Sequence, residues 1–230
     1  MSEALAEAGA NLVVCSRKLE ACEETAEALV KLGRKALALP LDVSSPEQVA
    51  QVVNTTMAEF HSLDIVVNNS GASWGAPAVD MPIQAWHKVM EVNVTGTFLM
   101  SQQAARVMIP QHSGKIINIA SVAGLRGSNP RALDAVGYST SKGAIIALTR
   151  DLAVKWGPLG IQVNAIAPGF FPTKMSRAII EKNSEFLLES TPLKRFGAPD
   201  DIKGIAVLLA SKASDYMTGA IIVVDGGQSA

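Results

Sequence analysis

Residues 1–20 read MSEALAEAGANLVVCSRKLE. A first alanine-rich turn has helical character and stops at Gly9. The apolar run NLVVC (11–15) has strand character, and Ser16-Arg17 leads into a second helical stretch. Helix end, glycine, strand and loop in that order form the second half of a βαβ unit. Its first half is not among these residues, and the expectation is that a strand and a loop precede Met1. A βαβ unit lays its strands parallel and covers them with helices, so this stretch selects an α/β domain.

Working outward, five further apolar segments stand out: ALALPL (36–41), DIVVN (64–68), KIINIA (115–120), IQVNAIA (161–167) and AIIVVD (220–225). Most lack in/out alternation, as expected of strands covered on both faces of a parallel sheet. Between them, Leu19 to Leu32 has apolar positions at helical spacing and ends at Gly33, a natural terminator. Ser45-Pro46-Glu47-Gln48 supplies an N-cap, a proline at the first helical position and a capping-box glutamine. Residues 82–110, 138–156 and 199–211 predict further helices. The order predicts one domain over 1–230, a Rossmann-type doubly wound parallel sheet with helices on both faces and without its first strand. Pro168 to Pro199 is the least regular region, with a charged helix-like piece from Lys174 to Leu188. Long loops after a strand's carboxyl end are where substrate is covered in such folds, so 169–199 is the expected lid. A plain surface excursion is the alternative.

Composition narrows the class. Apolar residues make up 48% of the 230 and charged residues 18%, enough apolar material for a core buried on several sides. Twenty basic and twenty-one acidic residues leave a net charge of −1, which argues against nucleic-acid or anionic-membrane partners. No run approaches the ~18 uncharged apolar residues of a membrane span. Cys15 and Cys22 are expected as reduced thiols, which fits a cytoplasmic protein. His61, His87 and His112 are scattered away from cysteine or carboxylate at ligand spacing, so no metal site is expected.

The chemistry concentrates at Tyr138-Ser-Thr-Ser-Lys142, with Ser121 just beyond KIINIA. Helical spacing puts Tyr138 and Lys142 on one face. A tyrosine of pKa about 10 is a poor acid or base at neutral pH unless its surroundings perturb it, and a neighbouring ammonium lowers that pKa. A serine hydroxyl beside the phenol can hold a carbonyl or alcohol oxygen. Alone, the pair occurs by chance. Its context is more specific: Asn68-Asn69-Ser70-Gly71 ends DIVVN, Asn93-Val94-Thr95-Gly96 interrupts a long helix with poor helix formers, and Pro168-Gly169 ends IQVNAIA. All converge on the carboxyl edge of the sheet, where open α/β sheets bind ligands.

These motifs make the chain resemble the classical short-chain dehydrogenase/reductase family, nearly end to end from residue 2. Asn68-Asn69-Ser70-Gly71 looks like the family's N-N-A-G, and Asn93, Ser121, Tyr138 and Lys142 match its catalytic tetrad. Asn164 with Pro168-Gly169 and Asp225-Gly226-Gly227 match its later strand endings. The resemblance implies an NAD(P)-dependent oxidoreductase interconverting a secondary alcohol and a ketone. Tyr138 would exchange the proton, Ser121 would orient the carbonyl, and Lys142 would lower the pKa of Tyr138 and hold the nicotinamide ribose. Asn93 would hold a water linking Lys142 to solvent. Implied cofactor contacts are Ser16, Arg17, Asp42, Val43, Asn69, Tyr138, Lys142, Pro168, Gly169 and Phe171. No carboxylate follows the second family strand until Glu20, and Ser16-Arg17 suit a 2′-phosphate, so NADP(H) is favoured over NAD(H). Helices over 82–110 and 138–156 imply a homodimer or homotetramer.

Two departures touch the substrate. The gap between Ser121 and Tyr138 is longer than usual and contains Arg126 and Arg131, which either attract an anionic substrate or are solvated loop residues. SGASWGAP and APGFFPTKM, with Trp74, Trp86 and Lys174, resemble the branch of gluconate 5-dehydrogenase-like enzymes and 3-oxoacyl thioester reductases, and both substrate classes stay open. The family pattern also places a strand and T-G-x-x-x-G-x-G before the opening helix, roughly 15–20 residues. The competing expectation is therefore a truncated, cofactor-deficient relative with an oligomerisation role.

Overall fold

The computed structural model describes residues 1–230. Strands and helices alternate: α1 (Ser2–Glu7), β1 (Leu12–Ser16), α2 (Leu19–Lys31), β2 (Ala36–Pro40), α3 (Pro46–Phe60) and β3 (Ile65–Asn68). There follow α4 (Ile83–Met90), α5 (Gly96–Gln111), β4 (Gly114–Ile119), α6 (Val136–Trp156), β5 (Ile161–Pro168), α7 (Arg177–Glu189), α8 (Pro199–Ala210) and β6 (Ile221–Val224). Every strand pairing is parallel. The sheet is divided: β1 pairs β2, and β3-β4-β5-β6 form a four-stranded sheet in chain order, with no ladder between β1 and β3. A shared core joins the two parts instead. Leu41, Val49, Val52 and Val53 pack in one cluster with Val66, Met100, Ile116 and Val163.

The lack of alternation in the strand sequences has its reason in the layers. Along β4, Ile116 packs toward α5 while Ile117 packs with Ala206 and Leu209 of α8. In β5, Val163 and Ala165 face α5 and α6 while Ile166 faces α8. Both faces are covered, so both parities are apolar. β1 and β2 are only half-buried along their length. α1 lies against α8 and buries Ala4, Leu5 and Ala6.

Helix ends follow local chemistry. α2 is capped at Leu32, and Gly33 adopts φ +79°, as its place after the helix requires. The Ser45 hydroxyl accepts from the Gln48 N–H at 3.2 Å, and Pro46 starts α3. The box is not closed as expected. Gln48 Oε1 accepts from the Asp42 N–H at 2.8 Å, because the Ser45 N–H is already bonded to the Asp42 carbonyl. The side chain thus ties the loop after β2 to the helix.

Between α4 and α5 the chain forms a π-helical segment, Glu91–Thr95, centred on Asn93. The expected interruption is a widened turn inside a continuous helical run, a form that carries one extra residue and often marks functional sites.

Candidate active site

The carboxyl ends of the strands carry the candidate residues. β3 and β4 run in register through Asn68 and Asn118, so Asn69 and Ser121 emerge on the same edge. Behind them lies a polar network. The Asn68 amide donates to Ser101 Oγ at 3.0 Å and Asn118 Oδ1 at 2.9 Å, and Asn118 donates to Thr149 Oγ1 at 2.9 Å. These bonds tie α5 and α6 to the strands that position Asn69 and Ser121.

Ser121 leads into the short turn Val122–Gly124 and accepts the Ala123 N–H at 3.2 Å. That turn meets α6 at very close range: a Cβ on Gly124 would stand 2.5 Å from the Lys142 carbonyl carbon. Only glycine permits this approach, which sets Ser121 beside the first turns of α6. Tyr138 and Lys142 share one face of α6, with the Lys142 ammonium 5.7 Å from the phenol ring centre. Lys142 is 6% exposed and donates to the Ile119 carbonyl at 2.6 Å.

The electrostatics correct the expectation for Tyr138. Burial raises its pKa, and the neighbouring Ser121 hydroxyl opposes the rise. Lys142 is not among the groups that shift it, and burial brings the ammonium's own pKa down to about 8. Tyr138 therefore keeps its proton at neutral pH.

Asn93 is 1% exposed, and its side chain is spent on the protein. Oδ1 accepts the Ala72 N–H at 2.7 Å, while Nδ2 donates to the Ala72 carbonyl at 2.9 Å and to Ser141 Oγ at 2.8 Å. Ser141 donates in turn to the Tyr138 carbonyl at 2.7 Å. Both amide protons are used within the protein, which leaves a water at Asn93 only the residue's oxygens to donate to. The side chain clamps the turn after β3 to the start of α6.

A cavity of about 360 Å³ opens at this edge and is lined by Ser121, Tyr138, Gly169, Phe170, Met175 and Phe186, among others. Residues 169–199 supply one of its walls, α7 included, with Leu187 fully buried beneath. Phe171, expected at the cofactor, does not line it. Its ring packs against Gly197 in a second cavity of about 440 Å³, and Phe170 reaches both. Gln228, missed from the sequence, lines the Tyr138 cavity. Asp225 accepts the N–H groups of Gly227 and Ser229 at 2.9 and 2.8 Å, and Gly226 and Gly227 take φ +67° and +87°, folding the tail back. Paired glycines after Asp225 were the available signal.

On the two-stranded part, Ser16 ends β1 opposite Pro40, and its carbonyl accepts the Leu41 N–H at 3.0 Å. The Ser16 hydroxyl is committed, donating to the Lys18 carbonyl at 3.0 Å and accepting from Cys22 Sγ at 3.1 Å. Arg17 is exposed and makes no ion pair or hydrogen bond through its side chain. Asp42 accepts from the Ser44 hydroxyl and N–H, which lower its pKa, with a smaller effect from Arg17. Val43 touches Gly96, three residues from Asn93, where a Cβ would stand 2.6 Å away. Asn69 is exposed. The thiols are free, and burial pushes Cys15 up to about 12.

A family model described as Enoyl-(Acyl carrier protein) reductase matches residues 1–229. The chain belongs to the classical short-chain dehydrogenase/reductase family. Within that family it is 40% identical over 230 residues to a 2-dehydro-3-deoxy-D-gluconate 5-dehydrogenase of Dickeya dadantii, covering 99% of this chain and 88% of the relative. It is 35% identical over 228 residues to a 3-oxoacyl-[acyl-carrier-protein] reductase of Aquifex aeolicus, covering 99% and 90%. A solved gluconate 5-dehydrogenase from Burkholderia cenocepacia, in complex with NADP and tartrate, superposes with TM-score 0.93 at 36% identity, covering 99% of this chain and 89% of that one. The short-chain dehydrogenase/reductase assignment rests on the whole length of the chain, and no helix is long and apolar enough to cross a membrane.

Proposed function

We propose that this short-chain dehydrogenase/reductase interconverts a secondary alcohol and a ketone with NADP(H), on a sugar acid or a 3-oxoacyl thioester. The observation that carries the reading is the presence of Ser121 and Tyr138 on the wall of one cavity, with Lys142 buried behind them. When bound, the nicotinamide supplies or receives the hydride. Ser121 Oγ holds the substrate oxygen. Tyr138 Oη, protonated because it is buried, donates its proton to that oxygen as a carbonyl is reduced. Lys142 has two N–H groups beyond the one given to Ile119, and they suit the ribose hydroxyls. Asn93 keeps the turn and the helix start in register. Residues 169–199 act as the lid.

The residues fit the phosphorylated cofactor in one specific respect. Arg17 is an exposed guanidinium just after β1, makes no ion pair although Asp42 feels its charge, and suits bidentate phosphate binding. Asp42 and Val43 border the adenine side, Asn69 the adenosine ribose, and Pro168 and Gly169 the nicotinamide. The neighbour solved with NADP supports this choice. Exposed apolar residues on α5 and α6, Phe98 and Val154, support a homodimer or homotetramer, and a species sedimenting with the mass of a monomer in analytical ultracentrifugation would overturn it. The complete catalytic constellation disfavours a purely structural role.

Tyr138→Phe tests the reading. Removing the proton donor is expected to lower turnover of 5-ketogluconate or acetoacetyl thioester with NADPH by roughly 100–10,000-fold while cofactor affinity changes little. Wild-type turnover in that variant would overturn the assignment.

A further inference from the structure

We propose that Arg126 and Gln228 form a specificity clasp for a carboxylate-bearing, hydroxylated substrate. This inference rests on the reading of the Tyr138 cavity as the alcohol/ketone site and names the substrate class it takes.

The first support is charge. Arg126 is the one Lys, Arg, Asp or Glu among the residues lining the cavity, so its positive charge meets no carboxylate there. It makes no ion pair elsewhere and donates through Nη2 to the main-chain carbonyl of Gln228. That bond holds the guanidinium across the mouth between the loop after β4 and the returning tail. It uses one of five N–H donors and leaves the rest of the fork available. Arg131, its partner in the same loop, behaves differently. Its guanidinium lies 4.4 Å from the Phe186 ring centre and is not among the cavity-lining residues. One of the two arginines thus braces α7, and the other faces the substrate space.

The second support is an unpaired acceptor. Gln228 Oε1 is buried and has no hydrogen-bond partner in the chain, although the residue lines the cavity. A buried polar atom without a partner is costly, and such atoms are rare in folded proteins. Oε1 is closed off from solvent in the unliganded chain, so it meets a substrate hydroxyl once the Gln228 amide turns toward the cavity its residue lines. Ser73 and Ser128 add hydroxyls at the same wall that no side-chain bond within the protein consumes. A fatty acyl chain would leave the buried Gln228 oxygen unpaired and would gain nothing from the guanidinium at the rim. A polyhydroxy acid satisfies both and leaves its ketone or alcohol carbon for Ser121 and Tyr138.

The test is calorimetric binding of D-gluconate and of its uncharged six-carbon counterpart D-glucitol, in the presence of NADPH so that no hydride transfer accompanies binding, to the wild type, Arg126→Gln and Gln228→Ala. Wild type is expected to bind gluconate about tenfold more tightly than glucitol, the low end for a charge-assisted hydrogen bond at a solvent-open rim. Arg126→Gln should bring the two affinities together, and Gln228→Ala should weaken both alike. Equal wild-type affinities, no binding of gluconate, or an undiminished gluconate preference in Arg126→Gln would overturn the clasp. Competition by butyryl thioester with an unchanged affinity in Arg126→Gln would overturn it in favour of an acyl substrate. Ketone turnover is read separately. Gluconate binding through Arg126 without any turnover of 5-ketogluconate would overturn the proposed reaction and leave the clasp standing, whereas turnover without the charge preference overturns the clasp alone.

Discussion

Replacing Gly124 with alanine would test how closely the site depends on backbone packing. The added methyl carbon would stand 2.5 Å from the Lys142 carbonyl carbon, 2.6 Å from the Gly143 nitrogen and 2.7 Å from the Lys142 oxygen. Those neighbours are helix backbone and cannot swing aside as a side-chain tip would. Restoring ordinary contact needs the turn Val122–Gly124 and α6 to part by roughly 1 Å. Ser121 caps that turn, and Tyr138 and Lys142 ride on α6, so the gap opens between the groups proposed to hold one substrate oxygen. A misplacement of about 1 Å can cost roughly 100-fold in rate. Overpacking of this kind costs about 1–3 kcal/mol, several degrees of Tm for a domain this size. The neighbouring Gly143 is the control. A Cβ there meets only the Gly124 carbonyl at 3.5 Å, and alanine favours a helix interior by up to about 1 kcal/mol. NADPH-dependent reduction of 5-ketogluconate and thermal melting would be followed in both variants. Wild-type kcat and Tm in Gly124→Ala, or equal damage in Gly143→Ala, would refute the reasoning.

Asn93→Ala is expected to lower stability by about 2–4 kcal/mol, because it strands the Ala72 N–H and carbonyl and unlinks Ser141. Denaturant unfolding would measure this, and an unchanged midpoint would argue against the clamp. Arg17→Ala should reduce kcat/KM for NADPH about tenfold or more while leaving that for NADH unchanged; a parallel loss with both would remove Arg17 from phosphate recognition. Lys142 gives a pH dependence whose sign follows from its depressed pKa. Below about 8 it is an ammonium, and above about 8 it loses the charge that would hold the ribose. The Kd for NADPH, from fluorescence titration, should therefore rise as pH passes upward through about 8 in wild type. It should stay flat over that range in Lys142→Arg, which keeps its charge; the same slope in both would acquit Lys142.

Much of the fold was written locally. The apolar segments became strands within a residue or two of their expected ends, because a strand covered on both faces has to be apolar at both parities, as Ile116 and Ile117 are. Asn93-Val94-Thr95-Gly96 announced an irregularity in a helix, since those residues favour the helix poorly, and the structure resolves it as a π turn. Capping was only half legible. The Ser45–Gln48 N–H bond follows from spacing, but the competing Asp42 N–H, brought in by the loop after β2, takes the glutamine oxygen.

The sequence by itself determined the α/β class, the order of the elements, and the motif residues Asn93, Ser121, Tyr138 and Lys142 together with the family they signal. These depend on periodicity and spacing, which are properties of neighbours along the chain. Only the tertiary structure decided what each group is free to do. Burial, a sum over every packed element, raised the pKa of Tyr138 and lowered that of Lys142. Contacts between distant segments spent the Asn93 amide on Ala72 and Ser141, turned Phe171 from the cavity and brought Gln228 into it. Of two arginines in one loop, the fold set Arg131 on Phe186 and Arg126 at the cavity, a distinction that five residues of sequence separation could not make.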